Sequence, residues 1–175
     1  MRIAQFKIIF LCLLCVLTLT LLSSCGYSLG YRTPPDVYTI GVPIFHNSTF
    51  GLRREIEYDL TSLVRQEIQT RTSLRVVSTE KADMILRGNI VVFRENLIVQ
   101  GDRNNKVESN VFAVVDVILE DYVNGSKMTM RVNDNEPFSP VLGEEFQTGR
   151  NRALKNLAER IVARIEYWDD YEESS

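Results

Sequence analysis

The chain has 175 residues, with 20 basic and 23 acidic side chains and a net charge of −3 at neutral pH. This length suits one compact domain with its own core. The mildly acidic balance argues against a nucleic-acid binder, which usually presents a strongly basic face.

The first 24 residues have the order of a secretory signal peptide. Arg2 and Lys7 precede fifteen uncharged residues, 8–22, and two serines follow them. The apolar stretch is shorter than the roughly 20 residues that a transmembrane helix needs. We therefore expect residues 1–24 to be cleaved; the alternatives are an uncleaved anchor, or a plain signal peptide for which the cysteine that follows it, Cys25, is incidental.

Residues 22–25, Leu-Ser-Ser-Cys, resemble the lipobox of bacterial lipoproteins. The resemblance implies cleavage before Cys25, a diacylglyceryl thioether on its sulfur and a third acyl chain on its new amino group. Several acyl chains hold a protein firmly on a bilayer. In such lipoproteins an aspartate after the cysteine often marks retention at the inner membrane. Because Gly26 stands there, the expected location is the periplasmic face of the outer membrane.

Removal of 24 residues leaves 151, with 18 basic and 23 acidic side chains and a net charge of −5. The other two cysteines, Cys12 and Cys15, lie in the signal, so the domain must be stable by packing rather than by disulfides. The expected segments are a lipidated tether over 25–36, an α+β domain over 37–168 and an acidic tail over 169–175.

The first half of the domain predicts a strand, a helix and a parallel strand. Alternating apolar residues over 37–45 indicate the first strand, with Pro43 at an edge or end. The polar run 46–49 supplies turn and N-cap chemistry, and 74–78 forms the second strand after a right-handed crossover. The apolar face of the helix consists of Ile56, Leu60, Leu63, Val64 and Ile68.

Residues 84–133 predict an antiparallel meander. Gly88, inside the first of its strands, suggests a bulge or the close approach of another element. Asn124-Gly125 is a strong hairpin signal between the second and third strands. The expected core residues are Met84, Leu86, Gly88, Ile90 and Val92, then Val111, Ala113, Val115, Val117 and Leu119, then Met128, Met130 and Val132.

Residues 133–143 have the composition of a loop, and about 144–167 form the clearest amphipathic helix. Two helices that are each apolar on one side call for an α+β fold: a two-layer sandwich in which two amphipathic helices pack on one face of a four- to five-stranded mixed sheet. The other sheet face is then open. The expected stripe of the last helix is Phe146, Ala153, Leu154, Leu157, Ala158, Ile161, Val162 and Ile165.

The sequence offers no catalytic or metal-binding constellation, so we predict a non-enzymatic protein without a cofactor. His46 is the only histidine and reads as a turn or capping residue. A histidine-based triad would have to use it, and the usual zinc sites need several His or Cys ligands. The carboxylates Glu144 and Glu145 are explained by their place at a helix N-terminus.

Four stretches together resemble the lipopolysaccharide-assembly lipoprotein (LptE) family: Cys25–Leu29, Ile40–Thr49, Ala82–Ile90 and Arg152–Ala158. The resemblance implies a non-enzymatic outer-membrane lipoprotein that sits inside the large β-barrel protein LptD as a plug, helps it fold and binds lipopolysaccharide in transit. A small domain with an open sheet face suits a polar barrel lumen.

Lipopolysaccharide presents phosphates and acyl chains, so its contacts should be basic residues beside apolar surface. The resemblance places one basic contact in the turn between the two central strands, which matches Arg103 with Lys106 nearby. The second falls near Gly143-Glu144, where the sequence has no basic residue. Further candidates for the patch are Arg131, Lys127, Arg87 and Arg94, all of which could equally be ordinary solvated charges.

Two other functions stay open at this point. One is an outer-membrane lipoprotein that serves as accessory or pilot for another envelope complex, such as a secretin. The other is an envelope hydrolase, which would depend on His46 or on a carboxylate pair.

Overall fold

The computed structural model describes residues 36–49, 55–100 and 106–166, without the side chains of 97–100, 106–107 and 166. The predicted signal, Cys25, nearly all of the tether and the acidic tail lie outside these ranges. The helices and strands, in chain order, are β1 (Thr39–Gly41), β2 (His46–Asn47), α1 (Ile56–Arg71), β3 (Arg75–Val77), β4 (Met84–Gln100), β5 (Lys106–Asp121), β6 (Lys127–Phe138) and α2 (Phe146–Glu166).

The strands form one mixed sheet in the order β3-β1-β4-β5-β6, and the two-residue β2 pairs with β4 beside β1. β1 runs parallel to β3 and β4, whereas β4, β5 and β6 form the antiparallel meander. Both helices pack on one face of this sheet. The predicted α+β architecture is confirmed, with β2 as an addition to the four or five expected strands.

The helices bury the stripes that the sequence indicated. In α1 the residues at four-residue spacing, Ile56, Leu60, Val64 and Ile68, are at most 1% exposed, while Leu63 only flanks the core. Seven of the eight stripe residues of α2 are buried, and Phe146 is partly buried against the core, edge-on to Phe138 with ring centroids 6.2 Å apart. No helix in the described ranges has the length and apolarity required to cross a membrane.

The segment before α1 differs from the prediction. His46 and Asn47 are not a turn but form β2, which pairs with Asn89 and Ile90. Asn47 Oδ1 accepts from the backbone N–H of Thr49 at 3.1 Å, a local turn that caps no helix. The N-cap is Glu55, with a left-handed φ of 87° and no side-chain capping bond, so the expected polar N-cap at 46–49 is wrong.

Gly88 marks the close approach of another element, one of the two readings that the sequence allowed. A Cβ at this position would lie 2.3 Å from the ring of Phe45. Phe45, only 2% exposed, follows β1, and its backbone N–H donates to Thr61 Oγ1 of α1 at 2.9 Å. The missing side chain of Gly88 therefore leaves room for the ring that links the sheet to α1.

The bulge occurs further along β4. The register with β5 shifts between Ile90 and Val92, which moves the following residues to the opposite face. Phe93, 5% exposed, consequently occupies the core where strict alternation placed Val92, which is only half-buried. Val92 was therefore assigned to the wrong face.

The predicted loop over 133–143 is largely strand, because β6 continues to Phe138. The alternation of apolar and polar residues along β6 is hard to recognise because two residues on its core side are carboxylates. Asp134 is 3% exposed and accepts from Asn156 Nδ2 at 3.3 Å, and Glu136 accepts from Arg152 Nε at 2.6 Å. Pro137 is tolerated because β6 is an edge strand. A short 3₁₀ turn over Pro140–Leu142 then leads to α2.

Candidate functional site on the open face of the sheet

The sheet face away from the helices carries paired charges among apolar residues. Alternation along the strands places Arg87 of β4, Asp116 and Glu120 of β5, and Lys127 and Arg131 of β6 on it. We call these five residues the open-face charge cluster. The apolar residues between and beside them are Ile85, Phe112, Val114 and Ile118.

Asp116 and Arg131 lie directly opposite each other in the β5–β6 register. Arg131 Nε donates to Asp116 Oδ1 at 2.6 Å and Nη2 donates to Oδ2 at 2.8 Å, a bidentate pair. These bonds hold the pKa of Asp116 below its usual range. The side chain of Arg131 is still 64% exposed, so the pair orients a guanidinium that remains open to a second anion.

Glu120 is shared by two cations. Lys127 Nζ lies 3.1 Å from Glu120 Oε1, and Arg87 forms an ion pair with Oε2. The hydroxyl of Tyr122 also donates to Oε2, at 3.2 Å. The bond from Lys127 contributes most to lowering the pKa of Glu120. With three cations and two carboxylates, the open-face charge cluster carries one net positive charge.

A shallow depression of about 660 Å³ lies within this face. Its walls combine guanidinium groups, one carboxylate already paired with Arg131, an imidazole, a hydroxyl and an isoleucine. Such a surface can bind polar or anionic groups beside apolar ones. The described residues contain no group of three His, Cys, Asp or Glu side chains placed to hold a metal ion. The lining includes His46, Arg87, Asn89, Asp116, Ile118, Thr129 and Arg131.

The predicted basic residues do not form a single patch. Lys127 and Arg131 come together on the open face, and Arg94 stands over the ring of Phe112 at 5.6 Å. Lys106 begins β5 at the opposite end from Glu120, the partner of Lys127. At about 3.3 Å per residue the two ends are about 45 Å apart. Arg103 lies outside the described residues, as does most of its turn.

A basic residue that the sequence reading did not place near Gly143-Glu144 does stand there. Arg152 of α2 donates through Nη1 to Glu144 Oε1 at 2.8 Å and through Nη2 to the carbonyl of Pro137 at 2.7 Å. The bond from Arg152 contributes most to lowering the pKa of Glu144. The available signal was the alternation Val132, Asp134, Glu136, Phe138, which extends β6 beneath α2.

A family model described as LptE, lipopolysaccharide-assembly, matches residues 37–165. The chain belongs to the LptE family. The match spans all eight helices and strands except the last residue of α2. A comparison with curated protein sequences found no match.

Several solved structures share the LptE-like fold of this chain. The hypothetical protein CT253 from Chlamydia trachomatis aligns with a TM-score of 0.56 at 10% identity, over 75% of this chain and 97% of its own. Uncharacterized lipoprotein B from Nitrosomonas europaea gives 0.52 at 17%, over 85% and 97%. A subunit of the PelC dodecamer from Paraburkholderia phytofirmans gives 0.51 at 13%, over 77% and 92%. At these low sequence identities the likeness is evidence for a shared fold alone.

Proposed function

We propose that this LptE-family protein is a non-enzymatic outer-membrane lipoprotein, anchored through acylated Cys25 on the periplasmic face. It binds inside an LptD-like export β-barrel as a plug, assists the assembly of that barrel and helps to deliver lipopolysaccharide to the cell surface. The proposal combines the family membership over 37–165 with the lipobox at 22–25.

The observation that carries the proposal is the open sheet face. Its charges are held in fixed pairs, Asp116 with Arg131 and Glu120 with Lys127 and Arg87. Fixed pairs with free donor capacity can bind the polar groups that line a barrel lumen at little cost in side-chain ordering. Phe112 and Ile118, which are partly exposed between and beside the pairs, add apolar contact area, so the face suits a protein partner better than a small substrate.

Lipopolysaccharide contact is assigned to four basic residues. Lys127 and Arg131, 57% and 64% exposed, retain donors for phosphate on the open face. Arg103 and Lys106 are the second group, of which Lys106 begins β5 at the opposite end of that strand from Glu120. Because about 45 Å separates the two ends of β5, one lipid headgroup cannot bridge them, and the two groups would act on successive positions of a moving lipid.

Depletion of the protein in its native cell tests this function. Surface lipopolysaccharide should fall, and the export barrel should become protease-sensitive, while any secretin keeps its normal level. Loss of a secretin multimer with unchanged surface lipopolysaccharide would instead support the accessory or pilot role.

Direct lipid contact is tested with the purified lipidated protein and lipopolysaccharide. Arg103→Glu and Arg131→Glu should each weaken binding severalfold, because each replaces a phosphate donor by a repelling carboxylate. Lys155→Glu is the matched control, since Lys155 lies on α2 and is exposed. Equal loss in all three variants would show that only overall charge matters.

A further inference from the structure

β6 is an edge strand whose backbone groups point alternately toward β5 and toward the free edge. Pro137, paired with Asn110, has no N–H to give to the ladder. The pairing is unbroken from Ser109–Phe138 to Glu120–Lys127, so every second residue from Pro137 shares its orientation. Thr129, Arg131, Asn133 and Asn135 therefore direct both backbone groups outward.

One half of this edge is covered by arginines of α2. Arg152 Nη2 donates to the carbonyl of Pro137 at 2.7 Å, and Arg160 Nη1 donates to the carbonyl of Asn133 at 3.0 Å. Pro137 itself removes one donor. Prolines and charged side chains along an edge are common means of preventing unwanted strand pairing. The half from Asn133 to Pro137 is therefore closed to an added strand.

The other half of the edge, from Lys127 to Arg131, has no such arginine cover among the described residues. In the described part of the chain β6 pairs with β5 alone, and no side chain is bonded to the outward backbone groups of Thr129 and Arg131. These two residues present two N–H donors and two carbonyl acceptors at the spacing of a strand. An extended segment could satisfy all four without displacing an existing bond.

A cationic groove runs beside this open half, between β6 and the last turns of α2. It has a volume of about 300 Å³. Arg131 and Arg160 are 64% and 57% exposed, and each is already oriented by a carboxylate, Asp116 and Asp134 respectively. A guanidinium has five N–H donors, so each keeps capacity for another anion. The groove is lined by Arg131, Val132, Asn133, Arg160, Ala163 and Arg164.

We propose that the Lys127–Arg131 half of β6 is a strand-addition site for an extended, acidic segment of a partner protein. The segment bonds through its main chain to Thr129 and Arg131, and its carboxylates enter the groove among Arg131, Arg160 and Arg164. Backbone pairing gives affinity, and the arginines give selectivity for acidic side chains. A second copy of this chain fits poorly, because antiparallel pairing of two β6 edges brings their Lys127 and Arg131 side chains together.

The site shares Arg131 with the open-face charge cluster, but the outward backbone groups of Thr129 and the side chain of Arg164 have no part in the plug function, so each proposal can fail alone. The test uses the full lipidated protein in detergent and a synthetic peptide that alternates Glu with Val or Thr. The amides of Thr129 and Arg131 should exchange at least about tenfold more slowly with this peptide, because they become hydrogen-bonded. A matched peptide with Lys in place of Glu should give no protection. Protection without any peptide would mean that the chain covers its own edge, and would overturn the proposal.

A pair of proline variants tests the backbone bonds. Thr129→Pro removes an outward N–H without breaking the β5–β6 ladder, so affinity for the acidic peptide should fall about tenfold or more. Asn135→Pro makes the same change in the covered half and should leave affinity unchanged. Arg164→Glu, which needs no backbone change, should also weaken binding. Wild-type affinity in both Thr129→Pro and Arg164→Glu would refute the site.

Discussion

The contact between Gly88 and Phe45 predicts the outcome of a one-carbon change. In Gly88→Ala the new Cβ would meet the Phe45 ring at 2.3 Å, whereas carbon atoms normally approach to about 3.5–4.0 Å. The ring must therefore move by more than about 1 Å, and it is buried between β4 and α1. Overpacking of this kind costs about 1–3 kcal/mol, offset by about 0.4–1 kcal/mol from the stiffer unfolded chain.

We expect a net loss of about 1–2 kcal/mol, which corresponds to about 2–8 °C in Tm for a domain of this size. The assay is thermal and urea unfolding of residues 26–175 followed by circular dichroism. Phe45→Leu is the partner variant, because it removes two of the three clashing ring atoms, Cε2 and Cζ. The double variant should be more stable than the sum of the two single changes implies, with a coupling of about 1 kcal/mol or more. Additive effects, or an unchanged Tm in Gly88→Ala, would refute the packing.

Three further changes test other parts of the account. Leu157→Asp should unfold the domain by placing an unpaired charge in the core, and a wild-type Tm would mean that the buried face of α2 is assigned wrongly. Burial raises the pKa of Asp134 above its ordinary 3.8, so the folded state binds the carboxyl proton more tightly than the unfolded state does. The contribution of this carboxyl to stability therefore falls as the pH rises above about 3.8. The Tm of Asp134→Asn minus that of wild type should therefore increase between about pH 4 and about pH 7, and a constant difference would contradict the shift. Cys25→Ala should release the protein from the membrane fraction and abolish acyl labelling, and unlabelled protein in the membrane would contradict the anchor.

The sequence predicted the elements whose apolar periodicity is uninterrupted. The stripe from Ala153 to Ile165 and the alternation from Val111 to Leu119 both report directly which residues are buried, because apolar burial sets the period. The Asn124-Gly125 turn also lies where the sequence placed it, between β5 and β6.

The errors arise where tertiary contacts override the local pattern. The bulge after Ile90 shifts the register between β4 and β5, and no residue type nearby predicts it. Asp134 and Glu136 look like loop residues until Asn156 and Arg152 of α2 provide their partners. These partners lie about twenty residues away in sequence, so the end of β6 could not be recognised from its own composition.

The candidate site could be predicted only in part from the sequence. Arg131 and Lys127 were chosen as outward-facing charges, and the register does pair them with Asp116 and Glu120. That pairing depends on strand register, which spacing within one strand does not specify. The covered and uncovered halves of the β6 edge depend on Arg152 and Arg160 reaching across from α2, which only the fold reveals.

The most direct test of the central claim is affinity purification of the full-length, lipidated protein from mild-detergent membranes, with mass spectrometry of what co-purifies. The plug function predicts one large β-barrel protein in near-stoichiometric amount. Recovery of the protein alone, or with a secretin or a periplasmic enzyme, would contradict it and would mean that this chain shares the LptE-family fold in another role.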